Sequence, residues 1–281
     1  MRVAVAGKGG AGKTTISATL TRLAAQAGAP AVAIDADSNP NLAIALGIEA
    51  GDVVSEFLPA SLVNRRVDVA RALASPLDEV LAGHASTGPD GVRLLVMGAP
   101  DHAEQGCLCS AHATVSALLA DLADLPEATI VVDLEASPEH LSRGTARYVD
   151  TLLLVAEPYY RALEAVRRLA DLAAELPIPR VAVVVNKVRS PADSEAVGAF
   201  CVRHGLELLA EVPWSDEVVD ADRARTPLLD AAPHSAAVTA IRRLAAVLGE
   251  PVFLRAGPAH DLRVPGAIGA EPLLAGKLEG G

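Results

Sequence analysis

Short apolar runs of strand length recur along the chain, separated by longer stretches in which apolar residues return every three or four positions. The runs predict strands near residues 2–6, 31–35, 92–98, 129–133, 151–155, 181–186 and 207–212. The periodic stretches predict helices near 14–28, 110–124, 160–175, 191–204 and 234–248. The first of them carries Ile16, Leu20, Leu23, Ala24 and Ala27 at helical spacing. Pro30, Pro126, Pro177 and Pro179 fall at helix-to-strand joins, where a missing N–H does least harm. Residues 52–90 are less regular and leave room for one or two further helices. Regular alternation of this kind predicts an α/β fold, a doubly wound, mostly parallel sheet flanked by helices. After Pro251 the pattern gives way to scattered Gly and Pro, among them Gly257, Pro258, Pro265, Gly266 and Pro272. One domain over residues 1–250, followed by a loosely ordered tail over 251–281, is the expected organisation.

Composition sharpens this picture at three points. Hydrophobic residues make up 51% of the 281 positions but aromatic ones only 2%, so Ala, Val, Leu and Ile must build the core. The net charge is −11 and no basic cluster exceeds two adjacent arginines, which argues against a broad nucleic-acid surface. No stretch of 18 uninterrupted apolar residues occurs, so no membrane span is expected. With no signal-like start and only three cysteines, the expectation is a cytoplasmic protein in a reducing compartment.

The chemistry starts directly after the first strand, at Gly7-Lys8-Gly9-Gly10-Ala11-Gly12-Lys13-Thr14-Thr15. This is a phosphate-binding loop with an extra lysine after its first glycine. The glycines let the backbone curl until its N–H groups point at phosphate oxygens. Lys13 then reaches the β- and γ-phosphates, and the Thr14 hydroxyl completes the shell of a Mg²⁺ ion. The strand before and the helix after supply the required context, and the ligand expected here is a nucleoside triphosphate.

Three further segments lie where such a site would use them. Asp35-Ala36-Asp37-Ser38-Asn39-Pro40-Asn41 follows the second strand, and a carboxylate there can orient an attacking water or reach Mg²⁺ through water. The alternative is an Asp capping a short helix that begins near Asn41. Ile130-Val131-Val132-Asp133 reads as an apolar strand ending in the carboxylate that holds the metal's water shell, or as a strand ending in a turn residue. At Val185-Asn186-Lys187 the amide of Asn186 has the donor and acceptor needed to read an adenine, or it simply forms a turn.

Gly106-Cys107-Leu108-Cys109-Ser110 precedes a helix. Thiolates at i and i+2 of an extended segment lie on one side and can share a soft metal. Tetrahedral Zn²⁺ wants four ligands. His102 or His112 could complete them within one chain, or two chains about a two-fold axis could supply four thiolates. A redox-active pair and two small buried apolar side chains are the competing readings. Cys201 falls in a predicted helix with Val197 and Phe200 and reads as core.

Together these residues resemble a known group. Lys8 ahead of Gly12-Lys13-Thr14-Thr15 is similar to the deviant Walker A loop of the P-loop NTPases that include MinD, ParA, the arsenite-pump ATPase and the nitrogenase iron protein. Within that group the chain resembles the CooC-type nickel-insertion accessory ATPases of carbon monoxide dehydrogenase. The likeness runs through Asp35 to Leu42, Gly106 to Cys109, Asp133 to Ala136, Glu139 to Thr145, and Asn186 to Val188, and covers roughly residues 1–250. It implies a Mg²⁺-dependent ATPase that cycles between ATP and ADP. Lys8, Lys13, Asp37 and Asp133 would act in hydrolysis, and Gly9, Gly10, Ala11, Gly12, Thr14, Thr15 and Asn186 in nucleotide binding. It further implies that Lys8 reaches the partner's nucleotide in a homodimer, and that Cys107 and Cys109 bind Ni²⁺ or Zn²⁺ between subunits for delivery to a client metalloenzyme. One departure stands out: Ser137 occupies the place of a usual switch glycine, which implies slow hydrolysis.

Two rival readings remain at this level. A MinD/ParA-like positioning or partition switch would want a basic amphipathic C-terminal helix or a basic surface, and the chain shows neither pattern. An iron–sulfur reductase of the nitrogenase type would want a cysteine just beyond Asp133, and none occurs between Cys109 and Cys201.

Overall fold

The computed structural model describes residues 1–54, 58–63, 72–97, 109–122, 125, 127–135, 141 and 145–249. Residues Met1–Gly249 form one compact unit. The expected tail, and with it the proposed boundary at 250, lies outside the described residues.

Eight strands form one sheet: β1 (Arg2–Gly7), β2 (Ala31–Ala36), β3 (Ser86–Thr87), β4 (Arg93–Val96), β5 (Thr129–Leu134), β6 (Thr151–Ala156), β7 (Arg180–Val188) and β8 (Glu207–Pro213). Their order is β3-β4-β2-β5-β1-β6-β7-β8. Every pair is parallel except β3 with β4. The described helices are α1 (Lys13–Gln26), α2 (Leu42–Leu46), α3 (Leu77–His84), α4 (Cys109–Leu122), α5 (Tyr160–Ala173), α6 (Pro191–His204), α7 (Asp216–Arg223), α8 (Leu228–Ala231) and α9 (Ala236–Gly249).

The period of two along β1 explains the layers. Val3 and Val5 pack on one face with Ile16 and Leu20 of α1 and Ile241 and Leu244 of α9. Ala4 and Ala6 face the other way, toward Leu118 of α4, Val166 of α5 and Val197 of α6. Strands buried on both faces carry near-continuous apolar sequence, as β5 and β6 do. From β1 the chain runs outward to β2 and β4, then crosses to β6, β7 and β8 on the other side. β1 therefore sits at the switch point, where α/β sheets open a crevice at their carboxyl edge.

The expected doubly wound parallel sheet is present, with some shifts in detail. The strand expected over 92–98 is the shorter β4, and the irregular region holds α3 and 3₁₀ turns at Ala60–Leu62 and Pro89–Gly91. The two-residue antiparallel β3 has too few residues to leave an alternating pattern. Helix α7 was not foreseen because Asp216, Glu217, Asp220, Asp222 and Arg223 leave it little apolar stripe. Helix α4 starts at Cys109, so Ser110 lies inside the helix and is not its cap.

Candidate nucleotide site

The loop between β1 and α1 is held in a shape that only glycine tolerates at two places. Gly12 has φ +92°, and a Cβ there would stand 2.2 Å from Asn186 Nδ2. Gly7 has φ +148°, and its Cβ would stand 2.2 Å from the Val155 carbonyl oxygen on β6. Ala11 N–H donates to the Lys8 carbonyl at 3.2 Å, closing the turn. Gly12 occupies the cap position of α1 without a side-chain hydrogen bond, so the first-turn N–H groups stay open to an anion. Lys13 opens this helix and is buried, while Thr14 and Thr15 follow at the mouth.

Two buried carboxylates stand beside this helix end. Asp133 is the penultimate residue of β5, Asp35 that of β2, and the two are register partners on adjacent strands. The Thr14 hydroxyl donates to Asp133 Oδ2 at 2.6 Å, and the Ser17 hydroxyl donates to Oδ1 at 3.2 Å. Burial pushes the Asp133 carboxyl up to about 7 against the Thr14 hydrogen bond, with Asp35 adding to the rise and Lys13 opposing it. Burial likewise pushes Asp35 up to about 6, against hydrogen bonds from the backbone of Leu42 and Asp37. The Leu42 N–H donates to Asp35 Oδ2 at 2.8 Å, so the helix-capping role belongs to Asp35. Asp37 is more exposed and accepts a local bond from Asn39 N–H at 2.9 Å, with its carboxylate just past the carboxyl end of β2.

Asn186 is built into the loop's support. Its Nδ2 donates to the Ala11 carbonyl at 2.8 Å and its Oδ1 accepts from the Lys187 N–H at 2.9 Å. Lys187 has φ 64° and turns its ammonium back over the loop. It donates to the Gly10 carbonyl at 2.6 Å and to Glu157 Oε1 at 2.8 Å. Burial pushes the Glu157 carboxyl up, but hydrogen bonds from Lys187 and Tyr159 outweigh it and hold the group below the ordinary glutamate value. Tyr159 Oη donates to Glu157 Oε2 at 2.9 Å, and Lys8 Nζ lies 5.6 Å from the Tyr159 ring centre. Lys8 itself is exposed.

Asn186 and Lys187 border a cavity of about 430 Å³. Gly10, Gly12, Lys13, Thr14 and Thr15 of the glycine loop and α1 line it, together with Asn186, Trp214 and Ser215. Its size lies within the range of small-molecule sites. Thr14, Thr15 and Asp222 also border a second hollow of about 230 Å³ beside Asn41 and Arg225.

Sequence reasoning foresaw Lys13, Thr14, Thr15, Asp133 and Asn186 at this place, and the structure brings them together. It missed Glu157, Tyr159, Ser17 and Trp214. Glu157 carried a usable signal, since an acid ending an apolar strand is the pattern that marked Asp133. Cys107, His102 and Ser137 lie outside the described residues, and Cys109 is placed only as the first residue of α4. Among the described residues no group of three or more His, Cys, Asp or Glu is arranged to hold a metal ion. His112 and Cys201 are both buried. Among the described residues no helix is long and apolar enough to cross a membrane.

Comparison with known proteins bears on the same region. Residues 3–228 match the family model "CobQ/CobB/MinD/ParA nucleotide binding domain". The chain is 34% identical over 272 residues to the carbon monoxide dehydrogenase accessory protein CooC of Rhodospirillum rubrum, covering 93% of this chain and 100% of that one. It is 33% identical over 239 residues to an uncharacterised ATP-binding protein of Methanocaldococcus jannaschii, covering 81% and 91% respectively. Among solved structures, MinD of Pyrococcus horikoshii complexed with Mg-ADP superposes with a TM-score of 0.67 at 20% identity, over 89% of this chain and 97% of that one. MinD of Aquifex aeolicus gives 0.66 at 21%, over 90% and 98%. Those two likenesses concern the fold. The resemblance to CooC-type accessory ATPases read from the sequence is thus borne out, and the chain belongs to the CobQ/CobB/MinD/ParA family of nucleotide-binding domains.

Proposed function

We propose that this chain is an ATP-dependent, dimerising accessory ATPase that binds Ni²⁺ or Zn²⁺ through Cys107 and Cys109 and assists metal insertion into a client of the carbon monoxide dehydrogenase kind. The observation that carries the ATPase reading is the 2.6 Å contact between Thr14 and Asp133 at the mouth of the glycine loop. A hydroxyl and a carboxylate so paired are the oxygen ligands that a hard cation uses beside triphosphate, Thr14 directly and Asp133 through water. Mg²⁺ bound there would neutralise charge on the transferring phosphate.

Around that pair the remaining roles follow from position. The N–H groups of Gly9, Gly10, Ala11, Gly12 and Lys13 cradle phosphate oxygens, and the Lys13 ammonium binds the β- and γ-phosphates. Thr15 extends the cradle, Asn186 holds the loop in shape, and Asp37 orients the attacking water. Lys8 stands exposed, free to reach a partner subunit's nucleotide. Residues 1–250 form the ATPase domain in this reading, with Ser137 slowing turnover. The name of the Rhodospirillum relative supports the client, and the Cys-x-Cys spacing supports a thiolate site shared between two chains.

Lys13→Ala tests the nucleotide reading. The variant is expected to keep the wild-type thermal transition while losing detectable ATP binding by calorimetry. Wild-type ATP affinity in the folded variant would overturn the assignment.

A further inference from the structure

Two consecutive residues near the carboxyl end of β7 hold two consecutive carbonyls of the glycine loop. Asn186 Nδ2 donates to the Ala11 carbonyl at 2.8 Å, and Lys187 Nζ donates to the Gly10 carbonyl at 2.6 Å. A trans peptide is planar, so the N–H that follows each carbonyl points the opposite way. Fixing these carbonyls therefore fixes the Ala11 and Gly12 N–H groups, and the Ala11 N–H is the one that closes the turn on Lys8. Lys187 makes its contact at φ 64°, a left-handed conformation that a residue with a side chain keeps only where its surroundings impose it. The register of β7 against β8 shifts at the same place, between Asn186 and Val188.

The Lys187 ammonium is shared with Glu157, whose Oε1 accepts from it at 2.8 Å. Glu157 follows directly on β6, which lies between β1, the strand leading into the loop, and β7, the strand carrying Lys187. Val155 is the register partner of Gly7 on one side and Ala156 that of Val185 on the other, so the acid stands within reach of both segments. Tyr159 Oη donates to Glu157 Oε2 at 2.9 Å, which engages the second carboxylate oxygen. Burial pushes this carboxyl up, but the bonds from Lys187 and Tyr159 hold it below the ordinary glutamate value, so it is charged at neutral pH. We propose that Glu157 is a positioning residue for nucleotide, anchoring the Lys187 ammonium on the Gly10 carbonyl and so holding the glycine loop ready for phosphate. The proposal rests on reading that loop as a phosphate cradle. A polyphosphate competes for any nearby ammonium, and a Lys187 that swung toward it would release Gly10; the Glu157 carboxylate opposes that movement.

The experiment measures the affinity for Mg²⁺-ATP and Mg²⁺-ADP by calorimetry in wild type, Glu157→Gln, Lys187→Met and the double variant. Glu157→Gln keeps the size of the side chain and removes its charge. A loop that is competent only about a tenth of the time binds about tenfold more weakly, so Glu157→Gln is expected to weaken ATP and ADP alike by roughly 5- to 20-fold. In ATP hydrolysis the loss should enter KM, with kcat changed by less than about twofold. Lys187→Met should weaken both nucleotides to a similar degree. The double variant should bind no more weakly than the weaker single variant, because Glu157 acts through Lys187. Wild-type affinity in Glu157→Gln overturns the proposal, and so do two losses that multiply in the double variant. Where Glu157→Gln lacks the wild-type thermal transition, Lys187→Met decides: a matching loss of affinity supports the anchor, and wild-type affinity overturns it. Failure of the phosphate reading would show as ATP binding that survives Lys13→Ala, whereas failure of this proposal shows as affinity that survives Glu157→Gln.

Discussion

Replacing Asp133 by Asn should make the nucleotide-free protein more stable and less active. Asp133 is 2% exposed, and burial has moved its carboxyl from 3.8 up to about 7. A group whose folded value is raised binds its proton more tightly when folded, so its stabilising effect is complete below the unfolded value and is lost as pH rises through the folded one. Between about pH 4 and pH 7 the native state must therefore lose stability through this residue. At 1.36 kcal/mol per unit, keeping the charge buried at pH 8 costs on the order of 4 kcal/mol. Asparagine preserves the oxygen that accepts from Thr14 or Ser17 but must house an NH₂ in its place, so roughly half of that cost, about 2 kcal/mol, should be recovered. For a domain of this size the melting temperature should rise by about 4–8 °C at pH 8. The assay is thermal unfolding by circular dichroism with nucleotide and Mg²⁺ removed, at pH 8 and pH 5. At pH 5 the wild-type carboxyl is protonated and the advantage of Asn should shrink. The same variant should lose Mg²⁺-dependent ATP hydrolysis. An advantage equal at both pH values, or a less stable variant at pH 8, would refute the argument that the charge of Asp133 is what the fold resists.

Two other perturbations probe the frame around the site. Gly12→Ala forces a left-handed residue and a Cβ against Asn186, and losing the bond to Ala11 as well should cost about 2–3 kcal/mol in urea unfolding; wild-type stability would show that Asn186 retreats freely. Arg22 of α1 is 4% exposed and joins Asp90 at 2.8 Å and Asp230 at 2.5 Å. Burial opposes its charge, but the bonds to Asp230 and Asp90 more than restore it. Arg22→Ala should cost about 2 kcal/mol, below the range for fully buried pairs because the Asp230 side chain is 43% exposed. A shift under a few tenths of that, measured by the same unfolding, would show that the two aspartates find other partners.

Local chemistry was legible in the chain where one segment holds all of it. β1, the glycine loop and α1 are contiguous, and their glycines, lysine and threonines encode the phosphate cradle without reference to anything distant. Acids ending apolar strands were also readable, because a buried parallel strand delivers its last residue to the carboxyl edge. That Asp35 is the acid bonded to the first N–H of the short helix was not readable, since it depends on where the Leu42 N–H lies in space. Asn186 offered a donor and an acceptor in the sequence, and only the packing of β7 against the loop shows where both are engaged. The joining of Glu157, Lys187 and Gly10 spans three chain segments and leaves no local trace.

The central claim, a dimer that carries metal between two Cys-x-Cys segments, is tested most directly by measuring metal content and solution mass together. Protein prepared without oxygen would be loaded with Ni²⁺ or Zn²⁺, as wild type and as the Cys107→Ser/Cys109→Ser variant. Four thiolates from two chains require about half a metal ion per chain, in a species of twice the chain mass that the variant fails to form. One metal per monomeric chain, or metal content unchanged by loss of both cysteines, would contradict the account.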